Sequence, residues 1–144
     1  MSTANPDCKF CEIAAGRVAA AVVLEEAASI AFLDHRPLFP GHVLLVPRAH
    51  VPTLLELPAA QIGPLFANAQ RIAAALERGL GAQGSFVAMN NRVSQSVPHL
   101  HVHLVPRSRG DGLRGFFWPR RRYADAAEQA RVAAAIRAEL ERTR

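Results

Sequence analysis

Long apolar runs are missing from this chain of 144 residues. None approaches the ~20 residues that a bilayer-spanning helix needs. The residues after Met1 also lack the charged-then-apolar pattern of a secretory leader, so a cytoplasmic protein with no membrane partner is expected. Lysine is nearly absent, with Lys9 standing against sixteen arginines; beside the abundant alanine this reads as compositional bias. No Walker-type glycine loop and no cluster of carboxylates suited to a catalytic magnesium ion is present. No internal repeat is visible, and cysteine is limited to Cys8 and Cys11.

What remains is enough for one ordinary core, since half of the residues are apolar and the length is that of a single domain. The expected domain is 1–144, with a core at about 8–107 and a variable segment at 108–144. The net charge of +5 belongs to that last segment: up to Pro106 seven basic residues balance seven acidic ones, and from Arg107 onward ten arginines meet five acids. Such a tail is ordinarily a solvated surface, and it does not by itself call for nucleic acid as a partner.

Along the chain, Cys8 to Gly16 reads as a short helix. Val22-Val23-Leu24-Glu25 and Ser29-Ile30-Ala31-Phe32-Leu33 read as a β-hairpin, and Val43-Leu44-Leu45-Val46 as a strand closed by Pro47. Between Ala59 and Leu80, Ile62, Leu65, Phe66, Ala69, Ile72, Ala73 and Leu76 recur at helical spacing. Pro58 suits the start of that helix, and Gly79 and Gly81 suit its end. Strands are expected at Ser85–Met89 and Val97–Val105, then an arginine- and glycine-rich loop, the aromatic run Phe116-Phe117-Trp118 and a terminal helix at about 124–141. This order predicts an α+β fold with a mainly antiparallel sheet.

The segment His99-Leu100-His101-Val102-His103-Leu104-Val105 carries the most chemistry. Strand alternation sets the three imidazoles on one face, ~6.6–6.8 Å apart, and the apolar residues on the other. Imidazole titrates near neutrality, so such a row can supply a nucleophile, proton donors or metal ligands. The competing reading is a half-exposed strand that merely tolerates histidine. Cys8-Lys9-Phe10-Cys11 is equally open at this level: a redox pair, half of a zinc site, or two inert core thiols. The Lys-Phe dipeptide and the lack of a βαβ unit argue against a thioredoxin-like pair.

His-φ-His-φ-His-φ-φ, with φ apolar, resembles the signature of the histidine triad (HIT) family at every position. Cys8-x-x-Cys11-Glu12-Ile13, Ala31-Phe32-Leu33-Asp34, Pro40-Gly41-His42 through Ala49-His50, and Gln95-Ser96-Val97-Pro98-His99 resemble family segments in the same order. The resemblance implies a HIT-like α+β fold, with an antiparallel sheet of about five strands, one long helix and a C-terminal helix, usually built as a homodimer. It implies a nucleotide hydrolase acting on the α-phosphate of nucleoside phosphoramidates or dinucleoside polyphosphates through a covalent nucleotidyl-histidine. His101 would be the nucleophile, with one ring nitrogen fixed by a hydrogen bond to a backbone carbonyl, and His103 would contact the transferred phosphate. Gln95, Ser96 and Asn90 would hold phosphate or ribose, Asp34 the ribose hydroxyls, and His42 would support the triad. Phe10, Ile30, Phe32 and Leu33 are candidates for the base pocket. By resemblance to zinc-containing bacterial members, Cys8, Cys11, His50 and His99 would bind a structural Zn²⁺, two thiolates and two imidazoles forming a closed, neutral tetrahedral site.

Two rivals share the same pocket, a nucleotidyl transferase and a non-catalytic nucleotide-binding regulatory dimer. The family's transferase branch has a His-Pro-His triad, and Leu100 departs from it. A third, processing of DNA ends, is motivated only by the arginine-rich tail. Within that tail the aromatic run is a candidate for tuning specificity near the leaving group.

Overall fold

A computed structural model describes residues 4–114 and 120–144, so Phe116, Phe117 and Trp118 lie outside the described residues. The elements are α1 (Lys9–Ala14), β1 (Val22–Glu25), β2 (Ser29–Leu33), β3 (Val43–Pro47), α2 (Ala59–Leu80), β4 (Gly84–Ala88), β5 (Val102–Arg107) and α3 (Ala126–Arg142), with a short 3₁₀ turn at Leu54–Glu56. The five strands form one sheet in the order β1-β2-β3-β5-β4, and every neighbouring pair is antiparallel. The expected α+β architecture is the observed one.

Period-two alternation gives the sheet two unlike faces. Ala31, Val43, Leu45, Val102 and Leu104 turn to α2, which meets them with Leu65, Ala69, Ile72 and Leu76. Ile30, Phe32, Leu44 and Val46 turn to the opposite side, where Phe10, Cys11 and Ile13 of α1 cover them. α2 stops where expected, because Gly81 takes the left-handed conformation (φ 70°), its N–H returns to the Glu77 carbonyl, and the N–H of Ala82 returns to that of Leu76. Ile62 and Phe66, counted in the helical pattern, stay partly exposed, at 40% and 38%. The stripe that packs is narrower than the apolar stripe in the sequence.

The histidine segment departs from the sequence expectation in one respect. The strand begins at Val102 rather than Val97, and His99 and His101 lie in the chain leading into it. The reason is local: the His99 carbonyl is occupied by the imidazole of His101 at 2.7 Å, while the Leu100 N–H goes to the Val51 carbonyl at 2.7 Å. Those groups are unavailable to the sheet ladder. Side-chain alternation survives nonetheless, because Leu100 is buried with the α2-facing core and the ring of Phe10 contacts both His99 and His101.

Residues up to Asp111 make one compact unit, and 112–144 a second. In the second unit α3 is capped by the Asp125 side chain, which accepts from the Glu128 N–H at 2.7 Å.

Candidate functional site

Cys8 and Cys11 at the start of α1, His50 just past β3 and His99 before β5 bring four ligand atoms within 4.8 Å of one another. The Nδ1 of His99 lies 3.4 Å from Cys8 Sγ and 3.5 Å from Cys11 Sγ, and the Nδ1 of His50 lies 3.4 Å from Cys11 Sγ. Tetrahedral zinc with bonds of ~2.3 Å to sulfur and ~2.05 Å to nitrogen sets sulfur and nitrogen ~3.5 Å apart. These three sulfur–nitrogen spacings match that value. The tautomer fits as well: His99 Nε2–H donates to the Pro47 carbonyl at 2.7 Å, which leaves the Nδ1 lone pair facing the sulfurs. Burial raises the Cys11 thiol above its ordinary value, a cost that a coordinated cation would reverse. Arg48 ties this corner together, donating to the carbonyls of Glu26 (2.7 Å) and Ala14 (2.9 Å).

The other two triad rings sit 4.9 Å apart between centroids and belong to a second network. His101 Nδ1–H donates to the His99 carbonyl, so Nε2 carries the lone pair. For His103 the tautomer follows from a chain of three groups. The Leu38 N–H donates to His42 Nδ1 at 3.1 Å. His42 must then carry its proton on Nε2, which donates to His103 Nδ1 at 2.9 Å. His103 is left with Nε2–H as a donor. Asp34 Oδ2 stands 3.8 Å from His42 Nε2, too far for a hydrogen bond.

Asp34, His42 and His103 are also close enough together to share a metal ion. The tautomers oppose it, because the nitrogen that His42 would offer carries the proton given to His103. Burial is the main cause that lowers both rings, His103 to about 4 and His42 by a smaller step. A histidine whose folded pKa is below its unfolded value of about 6.5 binds fewer protons when folded. Its contribution to stability is thus complete above about pH 6.5 and is lost as pH falls towards 4. Nitrogen chemical shifts of His103 are expected to report a neutral Nε2–H ring down to about pH 5. An imidazolium signal appearing near pH 6.5 would contradict the neutral chain.

His101 and His103 line a cleft of about 280 Å³ together with Asp34, Ser96, Phe10 and Phe32. Of the residues expected at the site, Ser96 and Asp34 lie in this cleft and His42 stands behind His103. Leu33 lines it too, whereas Ile30 is sealed in the core. Gln95 uses both ends of its amide locally, accepting from the Arg92 N–H at 2.8 Å and donating to the Pro52 carbonyl at 2.6 Å. Asn90 donates to the Ser94 carbonyl at 3.2 Å and is not among the cleft residues. The sequence reading missed Lys9, Ile13 and Ala19 to Ala21 as cleft residues. It also missed the backbone groups that fix the rings, the Leu38 N–H and the Pro47 carbonyl. Only three-dimensional packing reveals those.

A family model described as the HIT domain matches residues 15–110. The bis(5'-nucleosyl)-tetraphosphatase (asymmetrical) of Schizosaccharomyces pombe is 35% identical over 85 residues, 58% of this chain and 47% of that protein. Adenylylsulfatase HINT3 of Arabidopsis thaliana is 32% identical over 114 residues, 78% of this chain and 58% of that protein. The chain thus spans about half the length of these curated relatives. Among solved structures, a Zn-bound histidine triad family protein from Mycobacterium smegmatis superposes with a TM-score of 0.72 at 35% identity, over 96% of this chain and 98% of that one.

Proposed function

The chain belongs to the HIT domain family, and from that membership we propose that it is a nucleotide hydrolase whose nucleophile is His101 Nε2. The observation that carries this is the fixed tautomer pair: a lone pair on His101 and an N–H on His103, 4.9 Å apart between ring centroids in one cleft. The hydrolase names of two relatives support the reaction class.

The His101 lone pair attacks the α-phosphorus of a nucleoside phosphoramidate or dinucleoside polyphosphate. A nitrogen–phosphorus bond forms, and the bond to the leaving nitrogen or oxygen breaks with its electron pair, a solvent proton completing the leaving group. The ring is now cationic, and the His99 carbonyl that holds Nδ1–H stabilises it. His103 Nε2–H and the Ser96 hydroxyl donate to the phosphoryl oxygens as charge develops, while the Asp34 carboxylate accepts from the ribose hydroxyls. Water then attacks phosphorus and gives up a proton to solvent, the N–P bond breaks, and the lone pair returns to His101 as the nucleoside monophosphate leaves.

Cys8, Cys11, His50 and His99 would hold a structural Zn²⁺, which fixes the backbone that carries the His99 carbonyl and takes no part in the reaction. A homodimer completes this reading, supported by the exposed Ile62, Phe66 and Val87 on α2 and the outer strand β4.

A panel of adenosine and guanosine phosphoramidates and dinucleoside polyphosphates, assayed by kcat/KM, tests the proposal. Turnover of at least one class is expected; nucleotide binding without turnover of any would favour a regulatory protein. His103→Ala is expected to lower kcat by about 10²–10³-fold, the effect of removing one transition-state donor. A smaller loss than tenfold would remove His103 from phosphate stabilisation.

A further inference from the structure

The cleft runs across the strands from the histidines towards the hairpin. In the sheet register His103 of β5 is opposite Leu44 of β3, which is opposite Phe32 of β2. Two strand spacings make that row roughly 10 Å long. Above its far part lie Phe10, edge-on to Phe32 with ring centroids 5.4 Å apart, and Ile13. A nucleotide whose phosphorus is at His101 would extend its base along this row, towards the end of the cleft lined by Phe10, Ile13 and Phe32 and away from the polar groups of the reaction.

Lys9 shares a face of α1 with Ile13, four residues on, and lines the same cleft. It is exposed, and among the described residues its ammonium has no ion pair or hydrogen bond. By contrast Arg17, Arg71 and Arg107 are all held by carboxylates. It is also the chain's one lysine. A lysine on such a wall lays its methylenes along the apolar surface and keeps its ammonium at the rim.

We propose that Lys9 reads the base of the bound nucleotide and favours 6-oxopurines, guanine and hypoxanthine, over adenine. This deepens the nucleotide-hydrolase reading and rests on it. An ammonium offers three donors and no acceptor. Guanine presents two adjacent acceptors, O6 and N7, on one edge, whereas adenine presents N7 beside an amino group that can only donate. The ammonium thus matches the first edge and meets a donor on the second. Hypoxanthine carries the same O6 and N7 pair without the 2-amino group, so it separates this edge from any contact with that amine.

Calorimetric titration of GMP, IMP and AMP into the metal-loaded protein, its Lys9→Met variant and its Lys9→Arg variant is the test. The wild-type protein is expected to bind GMP and IMP about tenfold more tightly than AMP. Lys9→Met should erase the preference by weakening GMP and IMP while leaving AMP unchanged, and Lys9→Arg should retain it. Metal content at the wild-type level confirms that the variants are folded. An equal loss for all three nucleotides in Lys9→Met would assign the ammonium to the phosphate and overturn the proposal, as would a wild-type protein without preference. Binding is read without turnover, so loss of the base preference is distinct from failure of the hydrolase reading. If none of the three nucleotides bound, both would fall.

Discussion

His101→Ala is expected to give a folded, metal-loaded protein that still binds nucleoside monophosphate but turns over on the order of 10⁴-fold more slowly or worse. The size of the effect follows from what is removed. The other imidazoles at or beside the cleft are not placed in this way: His103 presents N–H, His42 is turned to His103, and the exposed His35 has Asp34 at 3.8 Å and, among the described residues, no hydrogen bond that holds its ring. Without a nucleophile the reaction loses its two-step route. The fold should tolerate the change, because the metal ligands and the Leu38–His42–His103 chain do not involve the His101 ring. Kinetics and nucleotide titration on the same preparation separate the two quantities. Turnover within a few-fold of wild type would assign the nucleophile elsewhere.

His99→Ala is expected to fail differently. It would remove a ligand from the proposed four-ligand zinc site, and the loss of a structural metal costs several kcal/mol, which for a chain of this size lowers Tm by roughly 10–20 °C. The mutant keeps the backbone carbonyl that orients His101. Any loss of activity therefore arises from movement of that carbonyl once the metal and the Nε2–H bond to Pro47 are gone. Chelation of the wild-type protein should reproduce the loss of stability, and Cys8→Ser should resemble His99→Ala. Mass spectrometry under native conditions and thermal melts measure both effects. A His99→Ala protein that retains a full equivalent of zinc would remove His99 from the metal site while leaving the reading of His101 untouched.

The sequence revealed most where a residue's role follows from its own side chain and spacing. Alternation in β5 and its lead-in put the histidines on one face and Leu100, Val102 and Leu104 on the other, because a pleated chain has no other arrangement. The long helix was legible to within its caps for the same reason, and C-x-x-C could be joined to His50 and His99 only through resemblance to a family. Less legible were features fixed by the backbone of distant segments. The strand start at Val102 depends on a carbonyl diverted to an imidazole. The protonation of His103 depends on a peptide N–H sixty-five residues earlier, at Leu38. Gln95 illustrates the opposite limit, since its motif suggests phosphate but its amide is engaged by Arg92 and Pro52 in the structure. Lys9, dismissed by composition, acquires meaning only when α1 is seen to cover the cleft.

The covalent intermediate is the centre of the proposed mechanism, and rapid acid-free quenching followed by intact-mass and peptide analysis tests it most directly. Wild-type protein mixed with an adenosine or guanosine phosphoramidate should gain, before the first turnover ends, the mass of one nucleoside monophosphate less water. The adduct should map to His101 and be absent from His101→Ala. Steady turnover with no adduct at any time, or an adduct on another residue, would contradict the mechanism.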